Sequence, residues 1–188
     1  IAQSEAATGQ PFVRHWFHIA HLRVDGEKMS KSLGNLYTLE DVAARGFSPA
    51  VLRYLLLSGH YRRPLNFTWE SLAAAESALR RICSFTEELN RMHFTDTNID
   101  SLETALFTPT LKALCEDLNT PKALGALNSA LQGVRALSAQ EQERSLRDLA
   151  RVLQLLGLPL SLQKDSVEML TPSPEVELLA DRRQKARR

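Results

Sequence analysis

Apolar residues recur at three- and four-residue intervals along most of the chain, the spacing of one face of an α-helix. Thr38, with Asp41 three residues later, predicts a capped helix start, and Gly46 a stop. Ser48-Pro49 opens a second helix running to about Leu57, since proline at the first helical position loses no needed hydrogen bond. Thr68 opens a longer one, with Leu72, Ala75, Leu79, Ile82 and Leu89 on its apolar face. The polar stretch 95–101 reads as a loop. Leu111, Leu114 and Leu118 mark the next stripe, Thr120-Pro121 a restart, and Leu124, Leu127, Leu131 and Val134 the cleanest stripe of all. Ser138 with Glu141 predicts a last capped helix, carrying Leu146, Leu149, Leu153 and Leu156 and stopped by Gly157 and Pro159. Residues 68–157 should therefore form antiparallel helices with short connections, a bundle with its own core. Residues 21–24 are the one strand candidate, ahead of the turn dipeptide Asp25-Gly26. Residues 161–174, with Pro172 and Pro174, read as a linker.

Composition narrows the class. At 188 residues, 44% hydrophobic and 24% charged, the chain can bury a real core, which argues against wholesale disorder. No apolar run approaches the roughly 20 residues that span a bilayer, so no membrane association is expected. Two cysteines, Cys83 and Cys115, build neither a disulfide framework nor a four-thiolate zinc site, as expected of a chain in a reducing cytosol, and both read as buried small hydrophobes. The opening at Ile1, with no initiator Met, and the close at Arg187 and Arg188 lead to the expectation that both ends are cut from something longer.

The net charge of +1 hides an asymmetry. Residues 1–63 carry eight Lys or Arg against five Asp or Glu, residues 64–174 ten against fourteen, and residues 175–188 five against three. The last stretch concentrates Arg182, Arg183, Lys185, Arg187 and Arg188. Such a tail suits attraction to an RNA backbone, or simply a basic helix end.

The densest chemistry lies in VDGEKMSKSLGN, residues 24–35. Two lysines and two serines between glycines make a mobile loop that offers ammonium and hydroxyl groups to a polyphosphate. Cations there stabilise the charge that grows on oxygen as pyrophosphate departs, and lysine, a flexible point charge, suits a moving loop. Residues 28–32 spell KMSKS, the second signature of class I aminoacyl-tRNA synthetases. Together with IAQSEAATGQPF (1–12), LRYLLLSGHYRRPLNFT (52–68), DLNTPKAL (117–124) and the tail VELLADRRQKARR (176–188), the chain resembles cysteinyl-tRNA synthetase over nearly its whole length.

That resemblance implies a mainly α fold. It would comprise the end of a Rossmann-type catalytic domain with the KMSKS loop (1–35), a helical stem-contact region (36–67), a helical bundle (68–160), the linker (161–174) and the start of an anticodon-binding region (175–188). It implies that Lys31 is the main catalytic lysine and Lys28 its assistant, and that Lys28, Met29, Ser30, Lys31 and Ser32 bind ATP with its magnesium. It further implies contacts to cysteine tRNA from Arg62, Arg63, Arg182, Arg183 and Lys185, a cytoplasmic location and a monomer. The family's zinc ligands and its first signature, a HIGH-type motif, should lie upstream of Ile1, so this chain holds no metal ligands of its own and should be inactive alone. HIAH, residues 18–21, is no substitute, since it ends only seven residues before Lys28 and has Ala20 where glycine permits close approach. Its histidines read as the end of a helix beside Trp16, with His18 near the active site as a lining residue. Two other functions fit the residues less well: a paralogous ligase passing cysteine to an aminosugar in mycothiol biosynthesis, and a non-catalytic helical RNA-binding module.

Overall fold

The computed structural model describes residues 1–30, 32–91 and 102–162, the side chains of residues 88–91 excepted. The Leu89 side chain, the loop 95–101, most of the linker and the basic tail fall outside what is described, as does Lys31. Among the described residues the molecule is mainly helical, with one small sheet. The elements run α1 (Ala2–Thr8), β1 (Leu22–Val24), β2 (Glu27–Lys28), α2 (Leu39–Ala44), α3 (Pro49–Leu57), β3 (Leu65–Phe67), α4 (Trp69–Arg91), α5 (Thr108–Cys115), α6 (Thr120–Val134) and α7 (Ala139–Leu156).

The sheet has the order β2–β1–β3. β1 meets β2 antiparallel, with Arg23 opposite Lys28, across a turn in which Asp25 (φ 51°) and Gly26 (φ 84°) are both left-handed. Two left-handed residues match the right-handed twist of the flanking strands, which is why an Asp-Gly pair stands here. β3 joins β1 in parallel, Val24 opposite Phe67, after a crossover through α2 and α3. β2 and β3 escape a periodicity reading because two or three residues cannot display an alternation; the pairing of β3 exists only once the crossover brings residue 65 beside residue 22.

Local signals set most helix starts. Thr38 and Asp41 form the reciprocal cap, with the Asp41 backbone N–H donating to Thr38 Oγ1 at 3.2 Å and Thr38 N–H to the Asp41 carboxylate at 2.7 Å. Those bonds from Thr38, the backbone one foremost, hold the Asp41 carboxyl below its ordinary value. At α4, Thr68 and Ser71 exchange backbone-to-hydroxyl bonds of 3.0 Å each. Ser138 donates from both N–H and O–H to the Glu141 carboxylate, at 3.2 and 2.6 Å. At α3 the proline is present, but Ser48 makes no side-chain cap bond.

One contiguous core runs from Val24, Val51, Tyr54 and Phe67 through Leu72, Leu79 and Ile82 of α4 to Leu127, Leu149 and Leu153 of α6 and α7. Phe107, ahead of α5, is fully buried in it. No described helix is long and apolar enough to cross a membrane.

Three expectations need correction. The stripe 111–114–118 does not form one helix face, because α5 stops at Cys115 and Leu118 is left-handed (φ 49°) and 51% exposed. Thr110 and Ala113 are the buried positions of α5 instead. Cys115, at the end of α5, is exposed, whereas Cys83 is buried and its thiol pKa is raised by desolvation. His18 and His21 do not end a helix: residues 11–21 have no regular structure, and His18 stacks on Trp16 at 6.0 Å in an exposed segment. Its large apolar side chains, Phe12, Val13, Trp16, Phe17 and Ile19, are exposed, so no tertiary packing sustains a helix there.

Candidate functional site

The lysine loop is built on the hairpin. Lys28 ends β2 with its side chain in solvent, while Met29 turns inward against the core beside Leu22, Tyr37 and Phe67. Asn35 closes the loop from the far side. Its Oδ1 accepts the Ser30 backbone N–H at 2.8 Å and its Nδ2 donates to the Lys28 carbonyl at 3.2 Å. Ser30 Oγ accepts the Leu33 N–H at 3.3 Å and lies 3.2 Å from Ser32 Oγ, so the two hydroxyls share one small network. Gly34, left-handed at φ 66°, turns the chain back toward Asn35. Met29 and Asn35 thus fix the loop's base, and Lys28 and Ser32 are left on its exposed side. Lys31 lies outside the described residues.

The hairpin beneath is tied down by a residue that pattern reading passes over. Asn66, in the middle of β3, accepts the Gly26 N–H at 2.7 Å, and Phe67 C=O accepts the Asp25 N–H at 3.1 Å. Tyr37 and Phe67 then each pack edge to face with Trp69, and the Arg45 guanidinium lies 3.8 Å from the Trp69 ring centre. These aromatic contacts carry the chain from the loop into α4.

A second polar group gathers at residues 60–63. Arg62 grips Asp117 with Nε at 2.7 Å and Nη2 at 2.9 Å, and Tyr61 O–H donates to the same carboxylate at 2.5 Å. His60 Nε2 stands 4.0 Å away. The hydrogen bonds from Arg62 and then Tyr61 hold the Asp117 carboxyl well below the ordinary carboxylate range, and the same contacts push Tyr61 and Arg62 upward. Tyr61 is stacked between Phe17, at 4.5 Å, and His60, at 5.0 Å. Of the two arginines in this group expected to face tRNA, Arg62 is therefore already engaged, while Arg63 is exposed and has no ion-pair partner among the described residues. Arg182, Arg183 and Lys185 lie outside the described residues.

Two apolar hollows flank β1. One, of about 390 Å³, is lined by Phe17, Ile19, Leu22, Leu56, Tyr61 and Leu118 among others. The other, of about 340 Å³, includes Leu22, Met29, Tyr37, Leu39, Val42 and Leu56. Lys28 lines neither hollow.

One short motif singles out Lys28, Met29, Ser30, Lys31 and Ser32 in the sequence. It misses Asn35, Asn66 and Asp117. Asn35 was within reach, as an amide seven residues from Lys28 in a glycine-bounded loop; Asn66 and Asp117 act on partners too distant in sequence to signal.

Residues 1–77 match the family described as tRNA synthetases class I (C) catalytic domain, and residues 111–164 match the DALR domain. The chain is similar to cysteine–tRNA ligase from Opitutus terrae, 43% identical over 97% of this chain and 36% of the relative. It is also similar to the enzymes of that name from Chlamydia muridarum, 38% identical over 96% of this chain and 39% of the relative, and Chlamydia trachomatis, 41% identical over 100% and 42%. The chain thus spans about two-fifths of the length of these curated relatives. With likeness over nearly its whole length and both domain matches in chain order, it belongs to the cysteine–tRNA ligase family.

Proposed function

We propose that this chain works as the C-terminal part of a ligase that activates cysteine with ATP and attaches it to cysteine tRNA. In the first step the cysteine carboxylate attacks the α-phosphorus and pyrophosphate leaves with the bond's electron pair. In the second a terminal ribose hydroxyl attacks the adenylate carbonyl and AMP leaves. Residues 1–35 would close the nucleotide-binding domain, 36–67 meet the tRNA stem, and 68–160 form the helical bundle behind it. Lys31 and Lys28 supply positive charge to the β- and γ-phosphates as charge develops on the leaving group, and the magnesium that accompanies ATP is part of the substrate. Met29, Ser30 and Ser32 shape the loop around the nucleotide. Arg62 and Arg63, with Arg182, Arg183 and Lys185, meet tRNA phosphates. The active protein is a cytoplasmic monomer.

The observation that carries this reading is the loop: a letter-for-letter KMSKS in which Asn35 and Met29 hold the base and Lys28 stands in solvent. The large exposed apolar side chains of residues 12–19, Phe12, Val13, Trp16, Phe17 and Ile19, support a further packing partner in a longer polypeptide. Among the described residues no three His, Cys, Asp or Glu side chains converge as metal ligands. The zinc expected of the family does not fit this segment, and no step here passes through it.

The test is Lys31→Ala in the complete polypeptide carrying these residues. Cysteine-dependent ATP–pyrophosphate exchange should slow by roughly two orders of magnitude or more while the fold survives. A rate within about twofold of wild type would remove the loop from the mechanism.

A further inference from the structure

The Asp117 cluster joins segments that the domain matches keep apart. Residues 60–63 lie within the class I match and Asp117 within the DALR match, 55 residues away along the chain. Thr120 Oγ1 adds a second tie across the same seam, donating to the Gly59 carbonyl at 3.3 Å. Next to it, Gly59 is the residue that admits Leu65, whose Cδ1 would lie 2.9 Å from a Cβ there.

The turn that delivers Asp117 is strained. Asp117 and Leu118 are both left-handed, at φ 57° and 49°, although neither is glycine. A left-handed leucine persists only where its surroundings over-determine it. Here the carboxylate it follows receives a two-pronged arginine fork and a tyrosine hydroxyl at once.

The geometry of the fork has a direction. Arg62 uses Nε and Nη2 on Asp117, and its side chain remains 63% exposed. Its guanidinium lies 4.9 Å from the Tyr61 ring centre, and Arg63 follows, exposed. A bidentate carboxylate removes the rotational freedom of a long cation before a ligand arrives.

We propose that Asp117 is a positioning residue for RNA: it acts through Arg62 and Tyr61 to hold a basic, aromatic knuckle in the pose that receives the phosphate backbone of tRNA. The inference rests on the ligase reading above. It predicts a sign that simple electrostatics reverses. Asp117 is an anion beside a basic surface, so its removal should tighten binding of a polyanion if charge alone mattered. A positioning role demands weaker binding.

The experiment uses Asp117→Ala and the milder Asp117→Asn, with Tyr61→Phe as a partial release, in the complete polypeptide. ATP–pyrophosphate exchange is measured without tRNA, and cysteinylation is measured across a range of cysteine tRNA concentrations and salt. We expect exchange within about twofold of wild type and a tRNA KM raised about tenfold in Asp117→Ala, with smaller rises in the other two. The salt slope of tRNA binding should become shallower by about one phosphate contact. An unchanged or lowered tRNA KM overturns the proposal. So does a parallel fall in exchange and cysteinylation that tracks lost thermal stability, which would make the cluster merely structural. A wild-type polypeptide that exchanges pyrophosphate but never charges tRNA would overturn the ligase reading itself, whatever the variants do.

Discussion

The side-chain amide of Asn35 reaches across the lysine loop to the Lys28 backbone carbonyl, 3.2 Å away, while its oxygen holds the Ser30 N–H. One amide thereby serves a donor and an acceptor on either side of Met29. Neither aspartate nor alanine can do both.

Asn35→Asp should keep the Ser30 bond and lose the Lys28 bond, and Asn35→Ala should lose both. If loop geometry sets phosphate contact, the ATP KM of pyrophosphate exchange rises about threefold in the first and about tenfold or more in the second, with little change in melting temperature. Equal values for wild type and Asn35→Ala would leave the loop's shape to Met29 and the hairpin alone.

Asp148 presents a stability test away from the site. It is fully buried on α7 and accepts backbone N–H groups of Glu103 and Thr104 at 2.9 and 2.8 Å, the Thr104 hydroxyl at 2.7 Å and Arg151 Nη1 at 3.2 Å. Asp148→Ala strands those donors and leaves the buried Arg151 without this carboxylate, a change that costs about 3 kcal/mol. Calorimetry should show a melting point lower by roughly 6–12 °C. A fall below about 2 °C would mean that the segment ahead of α5 finds other acceptors.

Gly157 ends α7 in a left-handed turn (φ 65°), and a Cβ there would collide with the Arg53 guanidinium of α3. Gly157→Ala should destabilise by about 1–2 kcal/mol. Adding Arg53→Ala should recover the steric part and leave the backbone part, and denaturant melts of the two variants separate them. Full recovery would show that the left-handed backbone costs nothing here.

Acid should weaken the fold through a defined set of carboxylates. Asp41, Glu116, Asp117 and Glu141 all lie below their ordinary values, through bonds from Thr38, Lys122, Arg62 and Ser138 respectively. A carboxylate with a depressed folded pKa binds its proton more readily when unfolded. Its stabilisation is therefore present above the unfolded value and lost as pH falls through the folded one. Urea midpoints should fall below about pH 4, and Asp117→Asn should flatten that limb. Tyr61 works in the opposite direction: its raised pKa contributes below pH 10 and is lost above it. An acid limb unchanged by Asp117→Asn would assign the effect to the three other carboxylates.

Much of the helical framework was readable because its causes are local. Thr38 with Asp41, Ser138 with Glu141 and Gly157 act within one turn, and the stripe Leu124–Leu127–Leu131–Val134 needs only helical spacing to find the core. The loop residues Lys28, Met29, Ser30 and Ser32 stand out for a similar reason, since the motif that marks them is contiguous. What reading along the chain cannot supply is a partner many residues away. Leu65–Phe67 becomes a strand because β1 offers it a ladder, Leu118 leaves its stripe because Asp117 is drawn to Arg62, and Asn66 matters because Gly26 comes beside it. Propensity and capping act within a few residues and are determined by sequence alone. Strand pairing, ion-pair clusters and buried acceptors require loop closure over tens of residues, and only the packed tertiary structure decides which of them form.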